Sequence, residues 1–173
     1  MVIRTNQAPD ERQLAIIAQQ LGRAPRGIEA VAATDGEGTP LVLRMVPIVD
    51  GKPFPTLYWL CSDVLKVEIS RIEAVGVIKA LEQRLQEEPE FLEAYQQSHR
   101  DYVNARWDAM SDAQREEVAK LGYTDVMTKR GIGGISNWHQ IRCLHTQYAH
   151  HLCGNNVIGQ WMDEHYQVDR CLP

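Results

Sequence analysis

The chain has 173 residues, of which 44% are hydrophobic and 24% are charged, and its formal net charge is −5. This length supports one well-formed core and is too short for two large domains, so we expect a single domain over residues 1–173. The acidic balance disfavours binding to nucleic acid or to an anionic membrane. No apolar run reaches about 18 residues, so the default location is cytoplasmic, where cysteines are expected to stay reduced.

The first predicted element is a short amphipathic helix over residues 10–21, capped by Asp10 and ended by Gly22. The segment GRAPRG follows, in which Arg23 and Arg26 flank a proline. Two arginines in a proline-fixed turn can hold a phosphate or a carboxylate between them. Solvated surface arginines are the commoner outcome of such a pattern.

Residues 28–49 change to a strand pattern. IEAVAAT and PLVLRMVPIV flank the turn sequence DGEG, which predicts a β-hairpin. A third strand is expected around residues 57–60, and Pro47 and Pro53 indicate that these strands are short or lie at edges. The prediction is a small antiparallel sheet of about three strands.

After the third strand the chain is mostly helical. Ser62 can cap a helix that runs to about residue 74, and a second helical run follows Gly76. Pro89 suits the first turn of a third helix, and Ser111 caps a fourth. The predicted fold class is therefore α+β, with the small sheet packed against about five helices and a mostly helical C-terminal two-thirds.

The segment GIGGISNWHQIRCLHTQYAHHLCGNN, residues 131–156, contains four of the six histidines and two of the four cysteines. Ser136 can cap a helix that Gly154 ends, so the sequence predicts one helix across most of this segment. On such a helix His139 and Cys143 are four residues apart and can touch. A glycine loop, GIGG, precedes it.

Cys143 and His150 would lie two turns apart on that helix, roughly 10 Å along its axis, too far to share one ion unaided. The segment has no CxxC pair and no HExxH, so it matches no standard metal spacing. Three interpretations stay open: a structural polar core, a metal or iron–sulfur site, and Cys143 as a thiolate nucleophile.

Five short motifs occur in an order that resembles the bacterial DUF501 family of uncharacterised proteins. They are LGRAPRG, GKPFPTLYWL, SRIEAVGVI, the GIGG loop, and IRCLHTQYAHHL with GNNVIG, spread over residues 20–159. The resemblance implies no established activity. It places a recurring basic–Cys–Leu–His pattern on Arg142, Cys143 and His145, with a later Ala-His at His150. The other recurring positions that it marks are Arg23, Arg26, Thr56, Tyr58, Ser70, Arg71, Glu73, Gly133 and Gly134.

The chain departs from the family pattern at two places. Many members have a Cys-Pro-x-Gly-x-Pro turn where this chain reads TDGEGTP, and many read Thr-Cys-Pro where it reads Cys61-Ser62-Asp63. If those cysteines bind a metal in relatives, this chain has lost the site or rebuilt it around Cys61.

Our leading hypothesis is a pocket for a small ligand, an anion or a metal, between the sheet and the Cys/His-rich helix. The side chains suit zinc or iron better than magnesium, and the candidate metal ligands are Cys143, His145, His150 and Cys61. An anionic ligand would be held by Arg23, Arg26, Arg71, Arg142, Gly133 and Gly134. His145, His150 and Cys143 are the catalytic candidates if the protein is an enzyme. The alternative is a non-catalytic module that binds or regulates a protein partner, with a structural Cys/His cluster.

Overall fold

The computed structural model describes residues 1–172, and it confirms the α+β class. The strands are β1 (Ile3–Gln7), β2 (Ile28–Thr34), β3 (Pro40–Met45), β4 (Ile48–Val49), β5 (Lys52–Pro53) and β6 (Tyr58–Leu60). Within the described residues there are eight α-helices rather than about five: α1 (Glu11–Leu21), α2 (Asp63–Ala74), α3 (Val77–Glu87), α4 (Pro89–Ala109), α5 (Asp112–Lys120), α6 (Thr124–Lys129), α7 (Leu144–Cys153) and α8 (Val157–Tyr166). None of them is both long enough and apolar enough to span a membrane.

The main sheet has four antiparallel strands in the order β1–β2–β3–β6. The predicted hairpin is confirmed as β2 and β3, which pair Val31 with Leu43, and the third predicted strand is confirmed as β6. The carboxylate of Asp35 fixes the hairpin turn because it accepts hydrogen bonds from the backbone N–H groups of Glu37 and Thr39.

The prediction of about three strands was too low because it omitted β1 and the small β4–β5 pair. Most residues of β1 are exposed, so this edge strand lacks the alternation of apolar and polar residues that identifies a half-buried strand. It is held to β2 by backbone pairing and by the Thr5 hydroxyl, which donates to the carbonyl of Val31.

The sheet has an apolar layer on each face. On one face α1 packs Ile17 against Val31, Leu43 and Cys61. On the other, the residues of the main core join the sheet to α2, α3, α4, α7 and α8. Because strand side chains alternate, Val42 and Leu43 enter different cores. A third, smaller cluster of Met110, Val118 and Met127 lies under α5 and α6.

Arg106 of α4 is a buried cation that binds backbone carbonyls instead of a carboxylate. Its side chain is 2% exposed and donates to the carbonyls of Pro55, Met127 and Arg130 at 2.6–3.0 Å. These carbonyls include the C-terminal end of α6, where the helix dipole favours a positive charge. The guanidinium thereby ties α4 to the Pro55 loop and to the chain that enters the glycine loop.

Candidate functional site

The site begins where α7 starts, and this position corrects the sequence prediction. The helix begins at Leu144, with Cys143 as its N-cap, rather than near Ser136. In the segment before the helix and at the first residue of the helix, backbone N–H groups bind side chains of other helices. Ile141 donates to Glu82 of α3 and Leu144 donates to Glu73 of α2.

Cys143 has an extended backbone, and its Sγ accepts the N–H of Thr146 at 3.4 Å. Because the helix begins only after Cys143, His139 is not one turn before it. The helical turn that was expected to bring His139 next to Cys143 is therefore absent. The thiol instead lies at the positive end of the helix dipole, which favours a thiolate.

A polar stripe on α2 faces the first turn of α7. It contains the carbonyl of Lys66, the hydroxyl of Ser70 and the carboxylate of Glu73, spaced at the intervals of one helix face. His145 lies across this stripe. Its Nε2 is 3.2 Å from both the Lys66 carbonyl and Ser70 Oγ, and its Nδ1 is 3.3 Å from Glu73 Oε1.

The contact with Lys66 defines the protonation of the His145 ring. A carbonyl oxygen can only accept, so Nε2 carries a hydrogen. In the neutral ring, Nδ1 then has a lone pair that faces the Glu73 carboxylate. This repulsive arrangement is relieved either by a proton on Nδ1 or by a metal cation between the two groups.

The ionisation tendencies of Cys143 and His145 agree with this geometry. The hydrogen bond with Cys143 is the main reason that the pKa of His145 is raised, and the Lys66 carbonyl and the Glu73 charge add to it. Burial of the Cys143 thiol opposes ionisation, but hydrogen bonds from His145 and Thr146 outweigh burial and lower the pKa of the thiol.

A carboxylate oxygen of Glu73, the thiol sulfur of Cys143 and a ring nitrogen of His145 lie within 4.8 Å of one another. Among residues 1–172 these form the only such group of three or more His, Cys, Asp and Glu side chains. All three residues are half-buried, so the cluster is accessible to a small molecule.

The structure places the other two candidate metal ligands elsewhere. His150 is 2% exposed and lies against the rings of Tyr58 and Tyr102, with centroids 6.1 and 5.2 Å away. Cys61 is buried in the core under α1, where burial raises the pKa of its thiol to about 12. Burial likewise lowers the pKa of His150 to about 4. Four-residue ligation by the predicted set would therefore require the fold to change.

His150 and the two tyrosines also fill the space between β6 and α7, where the sequence hypothesis located a pocket. His150 packs directly against Tyr58 of β6, so the interface between the sheet and the helix consists of side-chain contacts.

The glycine loop and Arg142 adjoin the start of α7. Gly133 has a φ of +76°, and a Cβ there would lie 3.3 Å from Arg142 Cβ and 3.4 Å from Thr146 Oγ1. The N–H of Gly134, which was expected to bind an anion, already donates a hydrogen bond to the Gly131 carbonyl.

The N–H groups of Gly131 and Ile132 are occupied as well, by the Ile135 carbonyl and by His99 Nδ1. Most of the loop amides therefore shape the loop itself. An anion near Arg142 would depend mainly on the arginine side chain.

The remaining arginines are on other surfaces. Arg23 and Arg26 line a small cavity of about 170 Å³ with Phe54 and Trp59, and Arg26 is paired with Asp50. Arg71 is exposed on α2 and pairs with Glu68 at 3.0 Å. The structure thus separates the Arg23 and Arg26 turn from the Cys143 cluster.

Sequence reasoning did not identify Glu73 as a candidate ligand, although the family resemblance marked its position. A signal was present in α2, because Lys66, Ser70 and Glu73 each follow a buried residue of the core face. A polar stripe beside the apolar stripe indicates a helix that contacts a polar neighbour.

The sequence profile of the family described as "Protein of unknown function (DUF501)" matches residues 31–164. No curated protein and no solved structure has significant similarity to the chain. The profile match covers most of the 173 residues and confirms the resemblance carried by the five motifs. The chain belongs to the DUF501 family.

Proposed function

We propose that this protein binds a transition-metal ion, zinc or iron, through Glu73, Cys143 and His145, and presents it to a small ligand. The observation that supports this most directly is the orientation of His145. Its Nε2 is held by the Lys66 carbonyl, and its Nδ1 is turned toward Glu73. Metal-binding histidines commonly donate their second ring N–H to a carbonyl in this way.

The donor atoms suit the proposed ions. Sulfur, nitrogen and carboxylate oxygen are zinc and iron ligands, whereas magnesium prefers oxygen alone. Three protein ligands leave an open coordination position, which is the arrangement of reactive rather than structural zinc sites. The side chains of Glu73 and His145 are each 25% exposed, so a small ligand can approach that position.

Neighbouring groups hold the ligands in place. Leu144 N–H donates to Glu73 Oε1 at 2.6 Å, and Thr146 N–H donates to Cys143 Sγ. Outer hydrogen bonds of this kind orient the ligands and raise metal affinity. Arg142 lies beside the helix start and would favour an anionic ligand.

The test is elemental analysis of anaerobically purified protein, with His145→Ala and Glu73→Gln as variants. We expect about one zinc or iron ion per chain in the parent protein and much less in both variants. Glu73→Gln keeps an oxygen that can accept the Leu144 N–H, so its fold should persist. His139→Ala is a matched control, because His139 is exposed and its side chain makes no hydrogen bond within residues 1–172.

Glu82→Gln is a second control, because Glu82 accepts the N–H of Ile141 as Glu73 accepts that of Leu144. Both controls should retain the metal. Equal metal content in controls and cluster variants, or no metal in the parent protein, would contradict the proposal.

A second candidate function is nucleophilic catalysis by Cys143. It is favoured by the position of the thiol at the start of α7 and by its lowered pKa next to His145. In this case a proton on Nδ1 of His145, rather than a metal ion, would lie between His145 and Glu73.

Alkylation by iodoacetamide at neutral pH, followed residue by residue with mass spectrometry, distinguishes the two functions. Cys61 and Cys153 are internal references, since burial raises the pKa of both thiols to about 12. A metal site predicts that added zinc protects Cys143, whereas a free nucleophile predicts rapid alkylation that zinc does not change.

If the parent protein binds no metal and Cys143 reacts no faster than the buried thiols, the cluster is structural. Its carboxylate and imidazole would then only join α2 to α7. The alternative of a module that binds a protein partner would be favoured, and a partner search with the intact chain would follow.

A further inference from the structure

A large cleft opens at the opposite end of α7 from Cys143. Its volume is about 840 Å³, and it is bounded by β1, α4, the α7–α8 connection and the C-terminal residues. Ligand pockets commonly have volumes of about 300–1,000 Å³. Because α7 is about 15 Å long, this cleft is separate from the Glu73, Cys143 and His145 cluster.

A directed hydrogen-bond donor lies next to two residues of the cleft lining, Gly154 and Asn156. The Asn156 side chain is oriented by its Oδ1, which accepts the N–H of Gly159, so its Nδ2 donates to Nδ1 of His150. The neutral ring of His150 must then carry its hydrogen on Nε2. Within residues 1–172 this Nε2 has no hydrogen-bond partner, and it is not among the fully buried unpartnered atoms, so it keeps some contact with solvent.

The donor lies next to Gly154. This glycine lines the cleft, and a Cβ at its position would lie 3.1 Å from Nε2 of His150. A side chain at residue 154 would therefore cover the ring nitrogen. An N–H group that keeps contact with solvent and has no protein partner is available to a ligand.

Two opposite charges flank the donor without pairing with each other. Arg4 uses Nε to bind the Leu152 carbonyl, and its terminal nitrogens have no partner in residues 1–172. Asp101 accepts one hydrogen bond, from Gln97. Both line the cleft, and both charges affect the pKa of His150, which Asp101 raises and Arg4 lowers.

The carboxylate of Asp163, another residue of the cleft, already has hydrogen-bond partners within the protein. Its carboxylate accepts from the Tyr148 hydroxyl at 2.8 Å and contacts Nε2 of His151 at 2.7 Å. The N–H of Asp169 is a further donor to it. Arg4 and Asp101 are the oppositely charged cleft residues that act on His150, and Asp169 adds an exposed carboxylate to the cleft lining.

We propose that this cleft binds a small zwitterion of the amino-acid class. Its carboxylate would bind Arg4 and the Nε2–H of His150, and its ammonium group would bind Asp101. Phosphorylated ligands fit poorly, because the carboxylates of Asp101, Asp163 and Asp169 would repel their higher negative charge. The remaining volume accommodates a side chain.

The test is isothermal titration of the intact protein with each of the standard free amino acids. At least one should bind, and its analogues without the carboxylate or without the ammonium group should bind roughly ten- to a hundredfold more weakly. The variants Arg4→Gln and Asp101→Asn should each lose affinity by a similar factor.

The matched controls are Arg12→Gln and Asp108→Asn, which remove the same charges from exposed positions outside the cleft. They should bind as the parent protein does. Gly154→Ala should weaken binding while leaving the metal content of the Glu73 cluster unchanged.

Three results would overturn the proposal: no amino acid binds, both variants bind as tightly as their controls, or the ligand needs only one of its two charged groups. Metal analysis of the same variants is independent of these results. The proposal of an amino-acid site and the proposal of a metal site can therefore be contradicted separately.

Discussion

The two ends of α7 contain the same residue types in opposite environments. At its start, hydrogen bonds lower the pKa of Cys143 and raise that of His145, which favours their charged forms. Toward its end, burial raises the pKa of Cys153 to about 12 and lowers that of His150 to about 4, which favours their neutral forms. Hydrogen-bond partners and burial, rather than residue type, therefore decide whether a cysteine and a histidine of this helix favour their charged or their neutral forms.

The comparison predicts that the buried end contributes more to stability. His150→Ala removes a ring packed against Tyr58 and Tyr102 and one of the two acceptors of the Asn156 amide, which keeps only Gln147. We expect the free energy of unfolding to fall by about 3 kcal/mol, measured by urea denaturation. His139→Ala should change it by less than about 0.5 kcal/mol. Equal losses in the two variants would contradict the comparison.

Acid should destabilise the protein through its buried histidines. Burial lowers the folded-state pKa of His150 to about 4 and that of His99 to about 3, from an ordinary value of 6.5. As the pH falls below 6.5, the unfolded chain takes up protons first, so this stability is present above 6.5 and is lost as the pH falls toward 4. His145 acts in the opposite direction because its pKa is raised.

Between about pH 7.5 and about pH 5, we expect His150 and His99 each to lower the free energy of unfolding by about 2 kcal/mol, with His145 offsetting part of the sum. His150→Phe keeps an aromatic ring but takes up no proton, so it should lose part of this pH dependence. A variant with the full dependence of the parent protein would show that His150 does not cause it.

Close packing at the buried end gives a third prediction. At the crossing of α7 and α8, a Cβ on Gly159 would lie 2.2 Å from Cβ of His151. Gly159→Ala should therefore push the helices apart and cost about 2 kcal/mol in thermal or urea unfolding. Gly36→Ala is the matched control, since a Cβ there meets only Met1 Cε at 3.9 Å. If Gly159→Ala left the free energy of unfolding unchanged, the helix crossing would be able to expand without loss of stability.

The smallest stability change is expected at the start of α7, where function should be most sensitive. Cys143→Ser retains an atom that can accept the Thr146 N–H, and serine is a favourable N-cap. The free energy of unfolding should change by less than about 0.5 kcal/mol. Metal content should nevertheless fall, because a serine hydroxyl is a poor zinc ligand. A large loss of stability would place Cys143 among the structural residues.

Local signals in the sequence predicted much of the fold. The DGEG turn between two apolar runs predicted the β2–β3 hairpin, and Asp10 and Ser111 predicted the starts of α1 and α5. These features depend on hydrogen bonds between neighbours in the chain. Their physical causes are therefore visible in a short sequence window.

The candidate site was only partly predictable, because distant residues complete it. The expected helix start at Ser136 was wrong, since Glu82 and Glu73 take the N–H groups that a helix would have used. Glu73 is 71 residues from Leu144 in sequence. Sequence spacing could locate Cys143 and His145 near each other, but it could not show which carboxylate would join them.

The buried guanidinium of Arg106 limits how the protein can be shortened. Its carbonyl partners, Pro55 and Arg130, lie 51 and 24 residues away in the sequence. A fragment that keeps α4 but lacks either partner segment would retain an uncompensated cation in its interior. Minimal versions for crystallisation or for display should therefore keep everything from the Pro55 loop to the glycine loop on one chain.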